Sequence, residues 1–450
     1  MDIPHIKKKL QSRISLHALF VPLELITKVL SLLSVKSIQR FRCVSKSWNT
    51  FISESFFCKM HLKISSQNPH FILSIPEYPL TCVVSVLVHR LIENHSMTVV
   101  GETCLSLKWG IREVVGSCNG LLCVLFNSIT NEKTKYKFCL WNPATRTISE
   151  KLEFFCDYEP LFGPIKFSFG CDYLTGIYKI VALHTQQNED GESNDDTWIS
   201  KVRVFNLGDN CWRDIQSFSS VPLIWNKGVH LSGTINWLSI HGAYISLCDG
   251  ERFRALIPDV KQLVIVSLDL STETYKTFLL PNDFIEVPCF EPSLRVMMDC
   301  LCFSHDFNKT EFVVWQMKEL GVQESWTQLF RIEYFNLQLN NPPIEVDFFY
   351  VEYMKCEIPL LPLYISKDGN TLILAHDSIN AVIIYNQLDN TVKRTRISNK
   401  IDWFTAVDYV ESLVSTDWRY GEGDRDEDDD EYEDQLSDID IGFGGWTGAY

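Results

Sequence analysis

Cys118, set between Ser117 and Asn119, is the residue whose type and setting come nearest to those of a nucleophile. To attack a substrate its thiol would need a lowered pKa and open access. The run around it, Gly116-Ser-Cys-Asn-Gly-Leu-Leu-Cys-Val124, belongs to a class of apolar segment that recurs along the chain, so a packed thiol is the reading the pattern favours. Asp and Glu are plentiful, but acid–base work needs two of them close in space, which strands and loops do not reveal. Cys300 and Cys302 stand two apart with no His at zinc-ligand spacing, and no Cys-x-x-Cys pair occurs. His-Glu-x-x-His, the phosphate loop Gly-x-x-x-x-Gly-Lys-Ser/Thr and the Gly-x-Ser-x-Gly elbow are all missing. The sequence therefore names no catalytic residue, no metal ligand and no cofactor.

Fifteen cysteines would suit a secreted disulfide scaffold, but the number is odd and the positions, such as Cys123, Cys139 and Cys302, fall in apolar strand-like runs. Buried thiols in a reducing compartment, the cytoplasm or the nucleus, fit better. Lys7 to Lys9 and Arg13 precede the apolar stretch Ile14 to Val21, yet His17, Pro22 and Glu24 interrupt it and no small-residue cleavage site follows. A solvated leader is expected there. No run of about 18 uncharged apolar residues is present to cross a bilayer. The formal charge of −16 is concentrated, because Gly421 to Tyr450 holds twelve acidic residues and one Arg and leaves about −5 for the rest. Nucleic-acid binding is disfavoured, since phosphate contacts call for a basic patch.

Positioning falls first to three short amphipathic helices expected between Phe20 and Leu62. Pro22 suits a first turn, and Leu25, Ile26, Val29, Leu30, Leu32 and Leu33 recur at helical spacing over more of the circumference than one core contact needs. Ser34 can cap a second helix through Ile38, Phe41 and Val44, leaving Lys36, Arg40 and Arg42 in water. Ser45 caps a third with Trp48, Phe51 and Ile52, which Ser55 ends ahead of Phe56, Phe57 and Leu62. Fewer than about 50 residues make a marginal unit, so the surplus apolar surface predicts an interface.

The ordered run Pro22, Glu24-Leu25-Ile26, Val29-Leu30, Leu33, Val35-Lys36-Ser37 and Arg40 to Trp48 resembles the F-box of plant F-box proteins. Val21 replaces the family's usual Leu before the Pro, and Ser34 replaces a frequent Pro before Val-Lys-Ser; neither removes an apolar anchor from the first helix. The resemblance implies a Skp1-type adaptor as partner, bound by Pro22, Leu25, Ile26, Val29, Leu30, Leu33, Val35, Ile38, Phe41, Val44 and Trp48. The alternative for the same residues is a small cap packed on its own chain.

Beyond Leu62 the apolar period falls to that of strands. Phe138 to Arg146, Val202 to Asn210, Val266 to Thr274 and Val382 to Asn390 each run as an apolar strand, then Asn142, Asn206, Asp269 or Asn386, then a polar turn and a second strand. Such side chains bond to backbone a few residues on and hold the turn. A looser fifth copy runs from Phe312 to Phe330. Segments of a second class precede these hairpins, and Asn119-Gly120 and Asp368-Gly369 in them predict turns with both central residues at positive φ. Four-strand units repeating every 40 to 50 residues or so suggest a propeller, with a two-sheet sandwich as the alternative.

The region from Val115 to Val410 also resembles the kelch-like F-box-associated interaction domain, through GSCNGLLCV, LWNPATR, Phe167 to Leu183, Val202 to Ile215 and Gly233 to Leu238. The Gly-Gly doublets of strict kelch repeats are missing. Recognition sits on loops carried by a rigid scaffold, and Trp and Tyr dominate binding hot spots. Trp225, Tyr244 and Phe349, from the stretches 223–226, 240–254 and 336–350, are thus the candidate target contacts. Most other tryptophans should be blade core.

The expected organisation is α+β and multidomain: a basic leader at 1–16, a helical F-box at 17–63, β segments at 64–114 that open the β domain, a propeller-like recognition domain at 115–412 and a disordered acidic tail at 413–450. The resemblance implies a non-catalytic substrate-recognition subunit of a Skp1–cullin–F-box ubiquitin ligase. Its partners would be the adaptor, through it a cullin, and a target protein, with neither nucleic acid nor membrane. An F-box protein acting outside a ligase, or a propeller enzyme, are the alternatives.

Overall fold

A stretch such as Leu263-Val-Ile-Val-Ser-Leu268 has no polar face, so it is stable only where both sides of a strand are covered. The computed structural model places it so, with six consecutive buried positions. The structure describes residues 22–65, 68–77, 80–94, 96–97, 113–130, 133–155, 165–187, 198–223, 226–241, 259–288, 290–337, 360–376, 381–397 and 401–417. The basic leader and the acidic tail beyond 417 lie outside them.

Among the described residues four helices come first: α1 (Leu23–Ser31), α2 (Val35–Arg42), α3 (Lys46–Ser53) and α4 (Ser55–Ser65). The sequence reading anticipated three. Glu54 turns extended, at φ −65° and ψ 136°, and the chain restarts as a helix of its own at Ser55. Ser34 and Ser45 cap as expected, their hydroxyls accepting from the Ser37 and Trp48 N–H groups at 3.4 and 3.2 Å.

Six sheets follow. The first pairs β1 (His70–Glu77) with β2 (Leu80–Leu87); α5 (Val88–Glu93) and β3 (Ser96–Met97) come next. The second holds β4 (Glu113–Cys118), β5 (Leu121–Thr130), β6 (Lys133–Asn142), β7 (Thr147–Ile148) and β8 (Leu152–Phe155). The third has β9 (Lys166–Cys171), β10 (Tyr178–Gln187), β11 (Trp198–Asn206) and β12 (Cys211–Phe218). The fourth has β13 (Ser220–Pro222), β14 (Val229–Leu231), β15 (Thr234–His241), β16 (Leu263–Asp269) and β17 (Thr274–Leu279). The fifth has β18 (Ser293–Met297), β19 (Cys300–Phe307), β20 (Glu311–Met317) and β21 (Trp326–Glu333), and the sixth β22 (Leu361–Ile365), β23 (Thr371–His376), β24 (Ala381–Asn386) and β25 (Thr391–Ile397). Finally β26 (Asp402–Tyr409) returns to pair with β1, Ile72 opposite Val407.

That pairing closes a ring. Six apolar clusters each join one sheet to the next: Ile72 with Val124, Phe138 with Phe169, Val204 with Trp237, Ile265 with Phe303, Phe330 with Ile383, and Ile384 with Phe71. A sandwich would have a single interlayer core, so the chain is a six-bladed propeller whose blades bury their faces only against neighbours. Middle strands are buried on both sides, whereas the outer β12 and β17 expose about every position their neighbours do not cover. A second fastening is β3, which runs parallel to β25 with Ser96 opposite Arg396.

The repeated markers do one job. Asn142, Asn206, Asp269 and Asn386 each end a blade's third strand and accept through Oδ1 from a backbone N–H two residues on, at 3.0, 2.8, 2.8 and 2.9 Å. Each turn ends four residues after its marker in a left-handed residue: Arg146, Asn210, Glu273 and Asn390. Asn119 and Gly120 both take positive φ, as expected of their hairpin. The Asp368-Gly369 turn differs, because only Gly369 does so; Asp368 instead accepts from Ser366 Oγ and the Asn370 N–H, which holds a longer turn.

Candidate functional site

Leu30, Val35, Ile38, Phe51, Ile52 and Phe57 form the core of the helical module, and Leu413, four residues past β26, completes it. Cys58 Sγ also lies 3.8 Å from the Leu413 carbonyl, and Ala144 packs on the same cluster. The module is thus fastened to the propeller at the rim where β26 ends. Arg42, expected in water, is half-buried and braces α2 against α3, donating to Asn49 Oδ1 at 2.8 Å and Ser53 Oγ at 2.7 Å. What the core leaves outside is apolar: Leu25, Val29 and Leu32 are 53, 59 and 68% exposed on one face of α1, at i, i+4 and i+7. Val44 and Phe56 are as bare.

Strands β4, β9, β14, β18, β22 and β26 line the central channel. A cavity of about 200 Å³ lies there, walled by all six blades through Ser117, Phe169, His230, Arg295, Leu361 and Asp408. On the rim away from the module, polar ties knit blade to blade. Lys227 Nζ meets Glu113 Oε1 at 2.7 Å, and Asn226 Nδ2 donates to Glu291 Oε1 and the Pro292 carbonyl, both at 2.8 Å, while its Oδ1 accepts from the Leu294 N–H at 2.9 Å. Burial pushes the Lys166 amine down to about 8, and its Nζ is bonded to the carbonyls of Leu223 and Asn226.

Mid-channel, Arg295 donates from Nη1 to the Ala406 carbonyl at 2.8 Å, with Asp408 beside it. Asp408 keeps solvent-accessible area on the channel wall, but the enclosing blades desolvate its carboxyl enough to push it up to about 6, against the pull of Arg295. A native value above the unfolded one means that the folded state holds an extra proton between about pH 4 and 6. The stabilising contribution is therefore full below about pH 4 and is lost as pH rises through 6. Asp408→Asn cannot titrate, so its stability relative to the parent should rise across that window and level off above it. Urea denaturation in unit steps from about pH 4 to 7 checks this, and a flat difference would contradict it.

Cys118 is a packed thiol. It is 5% exposed, its pKa is raised by its hydrogen-bonded neighbour Cys171 and by burial, and His230 Nδ1 lies 3.7 Å from its sulfur. That His is pushed toward neutrality by burial, and its Nε2 accepts from the Cys171 N–H at 3.3 Å. The pair has neither the thiolate nor the access that attack needs. Among the described residues no group of three or more His, Cys, Asp or Glu is disposed to hold a metal ion, and no helix is long and apolar enough to cross a membrane.

Two families match this chain: the F-box domain over residues 19–59, and the F-box associated beta propeller domain over residues 78–416. The chain belongs to the plant F-box proteins with an F-box-associated propeller. An F-box/kelch-repeat protein of Arabidopsis thaliana is 28% identical over 69% of this chain and 79% of its own length. The F-box protein CPR1 of the same plant is 24% identical over 88% of both. Among solved structures, TolB from Acinetobacter baumannii is similar at a TM-score of 0.41 with 9% identity, over 79% of this chain and 73% of that one.

On the F-box, the structure divides the residues expected to contact an adaptor. Pro22, Leu25, Val29, Phe41 and Val44 are exposed, and Ile26, Leu33 and Trp48 are partly buried, Trp48 stacked on Phe41 with ring centroids 5.7 Å apart. Leu30, Val35 and Ile38 are corrected: at 3, 0 and 0% exposure they are the F-box's own core, because so small a unit spends its best-placed apolar residues on itself. Leu32 and Phe56 were missed as surface positions. The i, i+4, i+7 spacing of Leu25, Val29 and Leu32 was the available signal for the first; Phe56 gave none, since the break at Glu54 decides which way it faces.

Trp225, Tyr244 and Phe349, the expected target contacts, lie outside the described residues. The described strand ends that flank them stand on the rim away from the F-box. Leu223, Asn226, Ile240 and Leu337, from the same stretches, are buried and serve the blades.

Proposed function

We propose that this chain is the substrate-recognition subunit of a Skp1–cullin–F-box ubiquitin ligase, docking on a Skp1-type adaptor through the F-box and holding a target protein on the propeller. One observation carries the reading: α1 has two apolar faces, and among the described residues only the one that holds Leu30 is covered. A contiguous bare face of Leu25, Val29 and Leu32 is the kind of surface that a partner hides. The target surface is then the opposite rim, whose inter-blade ties give its loops a stiff base. In this role the protein supplies proximity, which replaces a bimolecular encounter, and the protonated Cys118 takes no part. A reducing compartment, cytoplasm or nucleus, fits the unpaired thiols among the described residues.

The test compares the full chain with one lacking residues 1–65. The full chain should co-purify with adaptor and cullin, capture a target on its propeller while the proteasome is blocked, and shorten the half-life of that target when the proteasome is active. The shortened chain should capture the same protein and leave its half-life unchanged. Adaptor without cullin would favour a role outside a ligase and overturn the proposal.

A further inference from the structure

The F-box is cationic as well as apolar. Between Pro22 and Ser65 it carries seven Lys or Arg against two Glu, and Lys28, Lys36, Arg40, Lys46 and Lys59 are exposed. Lys28 stands within the bare face of α1, between Leu25 and Val29, and Arg40 precedes the exposed Phe41. A partner for this surface needs acid and grease together. The chain contains such a segment, because Gly421 to Tyr450 has a net charge of −11 and ends its acidic run among Ile439, Ile441, Phe443 and Trp446.

The fold delivers that segment to the F-box. Leu413 is part of the F-box core, Asn142 Nδ2 holds the carbonyls of Ser412 at 3.1 Å and Val414 at 2.8 Å, and Thr416 is buried. The chain is therefore pinned to the F-box side of the propeller until Asp417, and the acidic run begins a few residues later. From Glu422 to Asp440 it can span about 65 Å, so reach does not limit it. A tethered ligand this close acts at an effective concentration in the millimolar range or so, far above that of a separate partner.

We propose that residues 421–450 dock on the cationic, apolar face of the F-box and compete with the adaptor for it. This rests on the adaptor-binding reading above for its consequence, but the contact itself does not. Attraction between opposite charges at a surface is screened by salt, so the cover should loosen as ionic strength rises. The segment would then act as a built-in governor on ligase assembly.

The experiment uses the full chain, a chain ending at Asp417, and a peptide of residues 421–450 as the probe. In about 50 mM salt the chain ending at Asp417 should bind a Skp1-type adaptor about tenfold more tightly than the full chain, and the gap should close near 1 M. Added peptide should bind the chain ending at Asp417 with no adaptor present, shifting amide signals of Lys28, Val29 and Arg40. Changing the acidic residues at 426–431 to Asn or Gln in the full chain should close the gap as well. Equal adaptor affinities at low salt, or a peptide that does not bind, would overturn the proposal. So would inhibition that grows with chain concentration, which would move the contact to a second copy. If neither chain binds the adaptor, the ligase reading fails, and the peptide titration still decides whether the contact exists.

Discussion

Replacing Leu25 and Val29 together by Asp is expected to weaken adaptor binding by at least about a hundredfold while leaving the fold intact. Both side chains are more than half exposed and stand one turn apart on α1, so in the unbound protein two carboxylates there remain hydrated. The cost to the isolated chain is about 1 kcal/mol, most of it helix propensity. In a complex the same positions would be desolvated, and two uncompensated carboxylates at an apolar contact cost several kcal/mol, more than enough for two orders of magnitude. Leu30→Asp is the control. It places a charge in the F-box core against Phe51 and Phe57 and should unfold the module outright. Calorimetric titration against a Skp1-type adaptor, with melting curves for each variant, separates the two effects. A double variant that keeps its affinity within about threefold would remove α1 from the interface.

The two kinds of period in the sequence carried different amounts of the structure. The strand repeat fixed the blades well, because an Asn or Asp at the end of a blade's third strand can satisfy its turn only from that place, and Asn142, Asn206, Asp269 and Asn386 all do so. Ring closure was not legible. Residues 70–87 and 402–409 share a sheet although more than 300 residues separate them, and nothing local marks that pairing. On the helices, periodicity located apolar residues but not which of them the module would bury. Leu30 and Val29 are adjacent and chemically alike, yet one is core and the other bare, because the choice depends on where Phe57 and Leu413 sit. Leu413 is the clearest instance: an F-box core residue supplied from beyond the last blade, which no pattern near residue 30 can announce.

Trp403→Ala should be the most destabilising single truncation at the ring's closure. Trp403 is 1% exposed on β26 and packs with Phe71, Leu73, Ile373 and Ile384, where the sixth blade meets the first. Truncating a Trp in such a site costs about 3–5 kcal/mol, from lost transfer energy and the void left behind. Its indole N–H finds no acceptor among the described residues, so packing and not a hydrogen bond holds it. Trp403→Phe is therefore expected to cost far less, about 1–2 kcal/mol, since it keeps most of the apolar volume and removes the orphan donor. The consequence should travel in both directions. Because β26 pairs with β1 and leads four residues later to Leu413, weakening it opens the ring and unseats the F-box core together. Urea denaturation gives the free energies, and hydrogen exchange should show β1, β26 and α4 losing protection in step in the Ala variant. Loss of protection confined to β26, with Leu413 and the F-box unaffected, would mean that the module is seated on the propeller by contacts other than the one that Leu413 makes.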